Sequence, residues 1–184
     1  MRIIAGEARS RQIDAPKGRD TRPTLDRVRE NLFNIIARRV PDARVLDLFA
    51  GSGALALEAL SRGAAFAVMA DHDREAHRVE QANTERLGYG DRAETLLCDW
   101  KRALETLAKR GMCFDLVFLD PPYAMGDLTA VTEALLPLLD ADALVVTEHQ
   151  AGHPYTVCEA LAETDTRRWG YAGITLYKLR EAET

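Results

Sequence analysis

The chain has 184 residues, 47% of them hydrophobic and 29% charged, which bounds it to one core-forming domain with at most a small appendage. No apolar run approaches the roughly 18 residues of a membrane span, and Met1-Arg2-Ile3-Ile4-Ala5-Gly6 lacks a signal-peptide h-region, so a cytoplasmic protein without membrane contact is expected. The net charge of −5 hides an asymmetry: residues 1–44 hold 11 Lys+Arg against 6 Asp+Glu, leaving 13 against 23 for the rest, and such a basic arm points to an anionic partner.

Residues 2–5 and 9–14 flank Gly6-Glu7-Ala8 and predict a small hairpin. Residues 16–20 read as a loop. Thr24, after Pro23, is a candidate N-cap for a helix in which Leu25, Val28, Leu32, Phe33, Ile35 and Ile36 recur at helical spacing to about Arg39. The period then changes. A strand at 44–48 leads through a glycine turn into a helix ending at Ser61-Arg62-Gly63. A strand at 66–70 precedes a polar helix at 73–87, and a strand at 93–97 precedes a helix at 100–110. The fourth strand is 114–119, followed by a helix at 128–139 and a fifth strand at 143–147. Strands alternating with helices predict a parallel sheet covered on both faces. Residues 162–169 and 174–179 read as a terminal antiparallel hairpin around 170–173, for seven strands in all. The expected division is an arm at 1–22 and a catalytic domain at 23–184.

The three cysteines are widely spaced, with no metal-binding pattern, and are expected to be reduced, buried thiols. The histidines show no zinc pairing, and His149 and His153 are expected in a loop. No metal is expected.

Residues 45–56 form a strand, a tight Phe49-Ala50-Gly51-Ser52-Gly53 turn and a helix start. Glycines permit positive φ and close approach of a ligand, and a helix N-terminus offers free N–H groups. In an open α/β sheet, ligands bind at the carboxyl ends of the strands. Two cofactors compete for this loop. Gly51-x-Gly53-x-x-Ala56, with Asp71 20 residues after Gly51, fits a dinucleotide. Asp47 argues otherwise: a carboxylate is awkward beside a pyrophosphate but suits a cationic ligand, such as the amino and sulfonium groups of S-adenosylmethionine. The acid ending the second strand serves either cofactor through ribose hydroxyls. After the third strand, Asp99 can accept from an adenine amino group, or cap the helix instead, and Trp100 can pack near the ring.

Phe118-Leu119-Asp120-Pro121-Pro122-Tyr123 ends the fourth strand on the same crevice. An exocyclic amine of a base is a poor nucleophile because its lone pair is delocalised into the ring. Two acceptors on its N–H groups favour a tetrahedral nitrogen. Asp120 supplies one and the Pro121 carbonyl the other, with Pro121 and Pro122 fixing the geometry. Tyr123 can stack on the base. The turn alone does not choose guanine over adenine, or RNA over DNA.

Asp47–Gly53 together with Asp120–Tyr123 resembles the amino-methylating class I S-adenosylmethionine-dependent methyltransferases. Arg2-Ile3-Ile4-Ala5-Gly6, Arg22-Pro23-Thr24 and residues 27–34 (Arg-Val-Arg-Glu-Asn-Leu-Phe-Asn) bring it closer to the RsmD family, and Leu46–Gly63 and Gly170–Leu179 continue the match. That resemblance implies a Rossmann-like fold and methylation of N2 of a guanine in 16S ribosomal RNA, within the small subunit or its assembly intermediate, by a monomer. It implies that Asp47, Phe49, Ala50, Gly51 and Gly53 cradle the methionine part. Asp71, with Asp73 close by, would bind the ribose, and Asp99 and Trp100 the adenine. Asp120 to Tyr123 would hold the target amine, and Arg2, Arg9, Arg11, Lys17, Arg19 and Arg22 the RNA phosphates. The nearest rival is a DNA adenine-N6 methyltransferase, which usually adds a DNA-reading domain. Only 20 residues separate Asp99 from Leu119, and a helix and strand fill them.

Overall fold

The alternating apolar runs resolve into one seven-stranded sheet in a computed structural model that describes residues 1–17 and 23–181, with Pro23, Thr24, Leu25 and Tyr123 described by backbone alone. The strands are β1 (Arg44–Asp47), β2 (Phe66–Asp71), β3 (Ala93–Leu97), β4 (Phe114–Leu119), β5 (Leu139–Gln150), β6 (Leu161–Trp169) and β7 (Ala172–Leu179). Their spatial order is β3-β2-β1-β4-β5-β7-β6. The first five are parallel, and β7 runs antiparallel between β5 and β6. This is the mostly parallel Rossmann-like sheet with a terminal antiparallel pair that the sequence predicts.

Five α-helices are described: α1 (Pro23–Ile35), α2 (Ala54–Ser61), α3 (Arg74–Leu87), α4 (Trp100–Lys109) and α5 (Thr129–Leu135). Successive strand residues face opposite sides, so each strand feeds two cores. Val45, Met69, Phe118 and Val146 pack with Val28, Phe33, Leu57 and Leu87 from α1, α2 and α3. Leu46, Val68, Leu119 and Val145 pack with Leu104 and Leu107 of α4 and Val131 and Leu135 of α5.

Several boundaries differ from expectation. α1 opens at Pro23, ahead of Thr24; a proline in the first turn leaves no N–H unpaired. Three-residue 3₁₀ turns at Ala37–Arg39 and Leu136–Leu138 follow α1 and α5, the second containing Pro137. β5 extends three residues past the predicted end, so His149 lies in a strand rather than a loop. It is buried, 2.9 Å from both the Thr175 hydroxyl and the Gln150 carbonyl. Of the cysteines only Cys158 is buried; Cys113, in the turn between α4 and β4, is exposed.

The expected N-terminal hairpin is reduced to a single bridge between Arg2 and Gln12. Around that bridge the N–H groups of Ile3, Ser10 and Ile13 donate to the carbonyls of Arg11, Ile3 and Met1, and α2 accepts from others. The N–H groups of Ile4 and Ala5 donate to the Glu58 carboxylate at 2.8 and 3.0 Å. Those of Glu7 and Ala8 donate to the Ser61 carbonyl and hydroxyl. Ile3, Ala8 and Ile13 are buried in the α1–α3 core. Gly6 makes this docking possible: at φ +84°, an added Cβ would fall 1.8 Å from the Ser61 carbonyl oxygen. Glu58, fully buried, also accepts from Arg62 Nε at 2.7 Å and faces Arg29 Nε at 3.7 Å.

Removing one member of such a buried network typically costs about 3–5 kcal/mol, because its partners stay buried and unpaired. Glu58→Ala is expected to lower unfolding free energy by about that amount in denaturant titration. It is also expected to accelerate hydrogen exchange at Ile4 and Ala5 ahead of the sheet amides.

Candidate active site

The carboxyl ends of the parallel strands carry a row of acids. In spatial order these are Asp99 after β3, Asp71 of β2, Asp47 of β1, Asp120 after β4 and Glu148 of β5. At roughly 4.8 Å per strand, four spacings span about 19 Å. The pleat aligns the last four. Asp71, Asp47, Asp120 and Glu148 each stand two residues beyond Met69, Val45, Phe118 and Val146, which share the α1–α3 face. Asp47, Asp120 and Glu148 line one open cavity, with Phe49, Ala50 and Ser52 of the glycine loop.

The loop geometry follows from two glycines and one carboxylate. Gly51 and Gly53 have φ +58° and +74°. A Cβ on Gly53 would lie 2.6 Å from Met69 Sδ, so the loop can lie on β2 only with glycine there. Asp71 accepts from the N–H of Gly51 at 3.0 Å and of Asp73 at 2.9 Å. Asp73 caps α3, accepting from the N–H groups of Glu75 and Ala76. Asn83, buried on α3, donates to the carbonyls of Ser52 and Asp14, tying loop to arm.

Asp47 is 1% exposed. Its Oδ2 accepts from the Ala56 N–H at 3.3 Å, while its buried Oδ1 has no hydrogen-bond partner among the described residues. Burial pushes its carboxyl up to about 8; the Ala56 N–H opposes this, and Asp120 and Asp71 add to it. An acid so placed fits a ligand bringing a cationic N–H donor to Oδ1. Beneath the loop, Glu80 is fully buried and pushed up to about 9, by burial first and then by Asp47 and Asp71.

The Asp-Pro-Pro-Tyr turn reaches the cavity through its first residue. Asp120 lines it; Pro121 is buried, Pro122 is exposed, and Tyr123 opens a 3₁₀ turn. The Pro121 carbonyl accepts from the buried Tyr155 hydroxyl at 3.4 Å. Sequence reading missed two residues here. Glu148, pushed up to about 8 by burial and by Asp120 against the pull of Arg29, stands beside Asp120. Arg29 of α1 is 5% exposed and donates to the Arg2 carbonyl at 2.6 Å and to Asp26 at 3.0 Å.

Other assigned residues lie apart. Asp99 is exposed and caps α4, accepting from the Arg102 N–H at 2.9 Å, and Trp100 is half-buried in the first turn; neither lines the cavity. Arg2 and Arg9 are exposed. Arg11 donates to the Leu87 carbonyl at 3.1 Å and to that of Arg86, so its guanidinium is engaged at the α3 C-terminus. Lys17 is exposed, its N–H bonded to Glu75. Ala15 and Pro16 of the arm line the cavity. Arg19 and Arg22 lie outside the described residues.

Residues 1–178 match the family described as "Conserved hypothetical protein 95". The chain belongs to this family, whose members include RsmD. It is 36% identical over 185 residues to "Ribosomal RNA small subunit methyltransferase D" of Escherichia coli (strain K12), covering 100% of this chain and 90% of that protein. It is 38% identical over 184 residues to YlbH of Bacillus subtilis (strain 168), covering 98% and 100%. The solved structure of yhhF from Escherichia coli superposes with a TM-score of 0.83 at 38% identity, covering 100% of this chain and 99% of that one.

The raised acidity constant of Asp47 has a defined thermodynamic sign. The folded protein holds the Asp47 proton more tightly than the unfolded chain, so stability falls as pH rises from about 4 to about 8. Asp47→Asn is expected to flatten that fall and to stabilise the free protein near pH 8, read by thermal unfolding across pH. The same variant is expected to lose at least tenfold in S-adenosylmethionine affinity by calorimetry, roughly the worth of one charge-assisted hydrogen bond.

Proposed function

We propose that this protein transfers a methyl group from S-adenosylmethionine to the exocyclic N2 amine of a guanine in the 16S ribosomal RNA of the small subunit. The observation that carries this reading is the placement of Asp47 and Asp120 on one cavity, an acid short of a cationic partner beside an acid on a proline-rigid turn. The name carried by the Escherichia coli relative supports the substrate class.

When bound, S-adenosylmethionine supplies an electrophilic methyl group on a sulfonium sulfur and leaves as S-adenosylhomocysteine. Asp47 Oδ1 accepts from its amino group, and the Phe49–Gly53 loop holds the methionine part. Asp71 already orders that loop, so its ribose contact is a second duty shared with neighbouring Asp73; Asp99 and Trp100 close the adenine end. Asp120 accepts one N–H of the target amine and the Pro121 carbonyl the other. A carbonyl has two lone pairs, so the Tyr155 contact at 3.4 Å leaves one for the substrate. With both N–H groups held, the nitrogen lone pair points out of the ring plane. After transfer, the surplus proton passes to Asp120 and from there to water. The Tyr123 ring covers the base. Arg2, Arg9, Lys17, Arg19 and Arg22 meet phosphates, while Arg11 orders the arm that carries them. The protein acts as a monomer.

Methyl-labelled S-adenosylmethionine with unmodified small subunits, free 16S RNA and DNA tests the reading. Label is expected on guanine N2 of the RNA; label on DNA adenine, or none on guanine N2, would overturn it. Asp120→Ala is expected to bind S-adenosylmethionine normally and to lose about 10²–10³-fold in kcat, the usual loss for one preorganised transition-state contact. Normal turnover by that variant would remove the amine-gripping role.

A further inference from the structure

The Asp-Pro-Pro-Tyr turn recognises an amine but does not distinguish the amine of guanine from that of adenine. The neighbouring strand supplies a group that does. We propose that Glu148 accepts the N1–H of the target base beside Asp120, and so selects guanine; this rests on the guanine-N2 reading above.

Three observations place Glu148 there. β4 and β5 pair in parallel with Leu119 opposite Thr147, so Asp120 and Glu148 are the next step of the same register. Both follow by two residues a strand position facing the α1–α3 side, Phe118 and Val146, so the pleat turns them to one face. Both line the cavity that Asp47 enters. Two carboxyl groups on adjacent strands, on the order of 4.8 Å apart at the backbone, can converge on neighbouring atoms of one base edge.

The donor pattern of that edge then decides. Guanine presents N1–H next to its N2 amino group, so donors stand side by side. Adenine presents its N6 amino group next to N1, which is an acceptor. A pair of acids matches the guanine edge and sets an oxygen lone pair against adenine N1. In the free protein burial and Asp120 hold the Glu148 carboxyl up, to about 8, against the pull of Arg29; the N1–H of a bound guanine is a donor that favours the ionised form, and that form opposes adenine N1. Sites built to pair with a substrate N–H reject analogues lacking it strongly, because the buried acceptor is then left unpaired. Glu148 forms no covalent bond here and moves no proton in the transfer; its part is to choose and orient the base.

The test uses small subunits reconstituted with one changed nucleotide. Wild-type protein first maps its target guanine by mass spectrometry. That guanine is then replaced by 2,6-diaminopurine, which keeps the N2 amine but carries an acceptor at N1. Wild-type kcat/KM is expected to fall about tenfold or more on the analogue. In Glu148→Gln the amide can donate to N1. The guanine-to-diaminopurine ratio is expected to shrink at least tenfold, with S-adenosylmethionine affinity unchanged. Equal use of both bases by the wild type, or an unchanged ratio in Glu148→Gln, would overturn the proposal. If Glu148→Gln does not fold, the wild-type ratio decides alone. Failure of wild-type protein to label any guanine N2 would instead overturn the underlying reading, before Glu148 is tested.

Discussion

One buried carboxylate fixes the relation between the two parts of this protein that meet at the site. Glu58 lies at the centre of α2, the helix whose N-terminus forms the glycine loop. Its two oxygens receive the N–H groups of Ile4 and Ala5, the Nε of Arg62 and the charge of Arg29. A carboxylate fully out of water is tolerable only with such a set of donors. The arm and α1 are therefore held against the same helix that shapes the loop. Without Glu58, Ile4 and Ala5 would lose their acceptor and Arg29 a counter-charge.

The acids at the strand ends contrast with Glu58. Glu58 is satisfied within the fold, while Asp47 and Glu80 keep buried oxygens that the described residues do not pair. Asp120 and Asp71 also add to the cost of ionising Asp47, which burial already raises. A sheet selected for stability alone would place small or apolar groups there. In the proposed reading the row instead meets a ligand with several donors, one of them cationic.

Much of this was legible in the sequence because the relevant signals are local. The period-2 and period-3.6 runs gave all seven strands and five helices, and the strand-end rule found Asp47, Asp71 and Asp120. The same rule would have found Glu148, but the apolar run ends at Thr147, and the strand was read as stopping with it; edge pairing with β7 carries it further. A lone charge in the apolar run of residues 54–61 was a readable sign for Glu58. Its partners were not, since they lie 53 and 54 residues away. The docking of the N-terminal hairpin is hidden for the same reason: its two segments pair locally, but the side chains that hold it to α2 lie far along the chain. Arg11 looked like one more basic residue for phosphate, and only the α3 C-terminus reveals its second attachment.

The arm also imposes an order on assembly. Its anchors are all later in the chain: Glu58 and Ser61, then Asn83, the Leu87 carbonyl and Arg92, the last 85 residues beyond its partner Glu7. The first part of the protein to be synthesised thus cannot take its place until almost half the chain exists. Closing such long loops is slow relative to forming local helices and strand neighbours. One wall of the cavity is thus completed only when the chain's beginning returns to its middle.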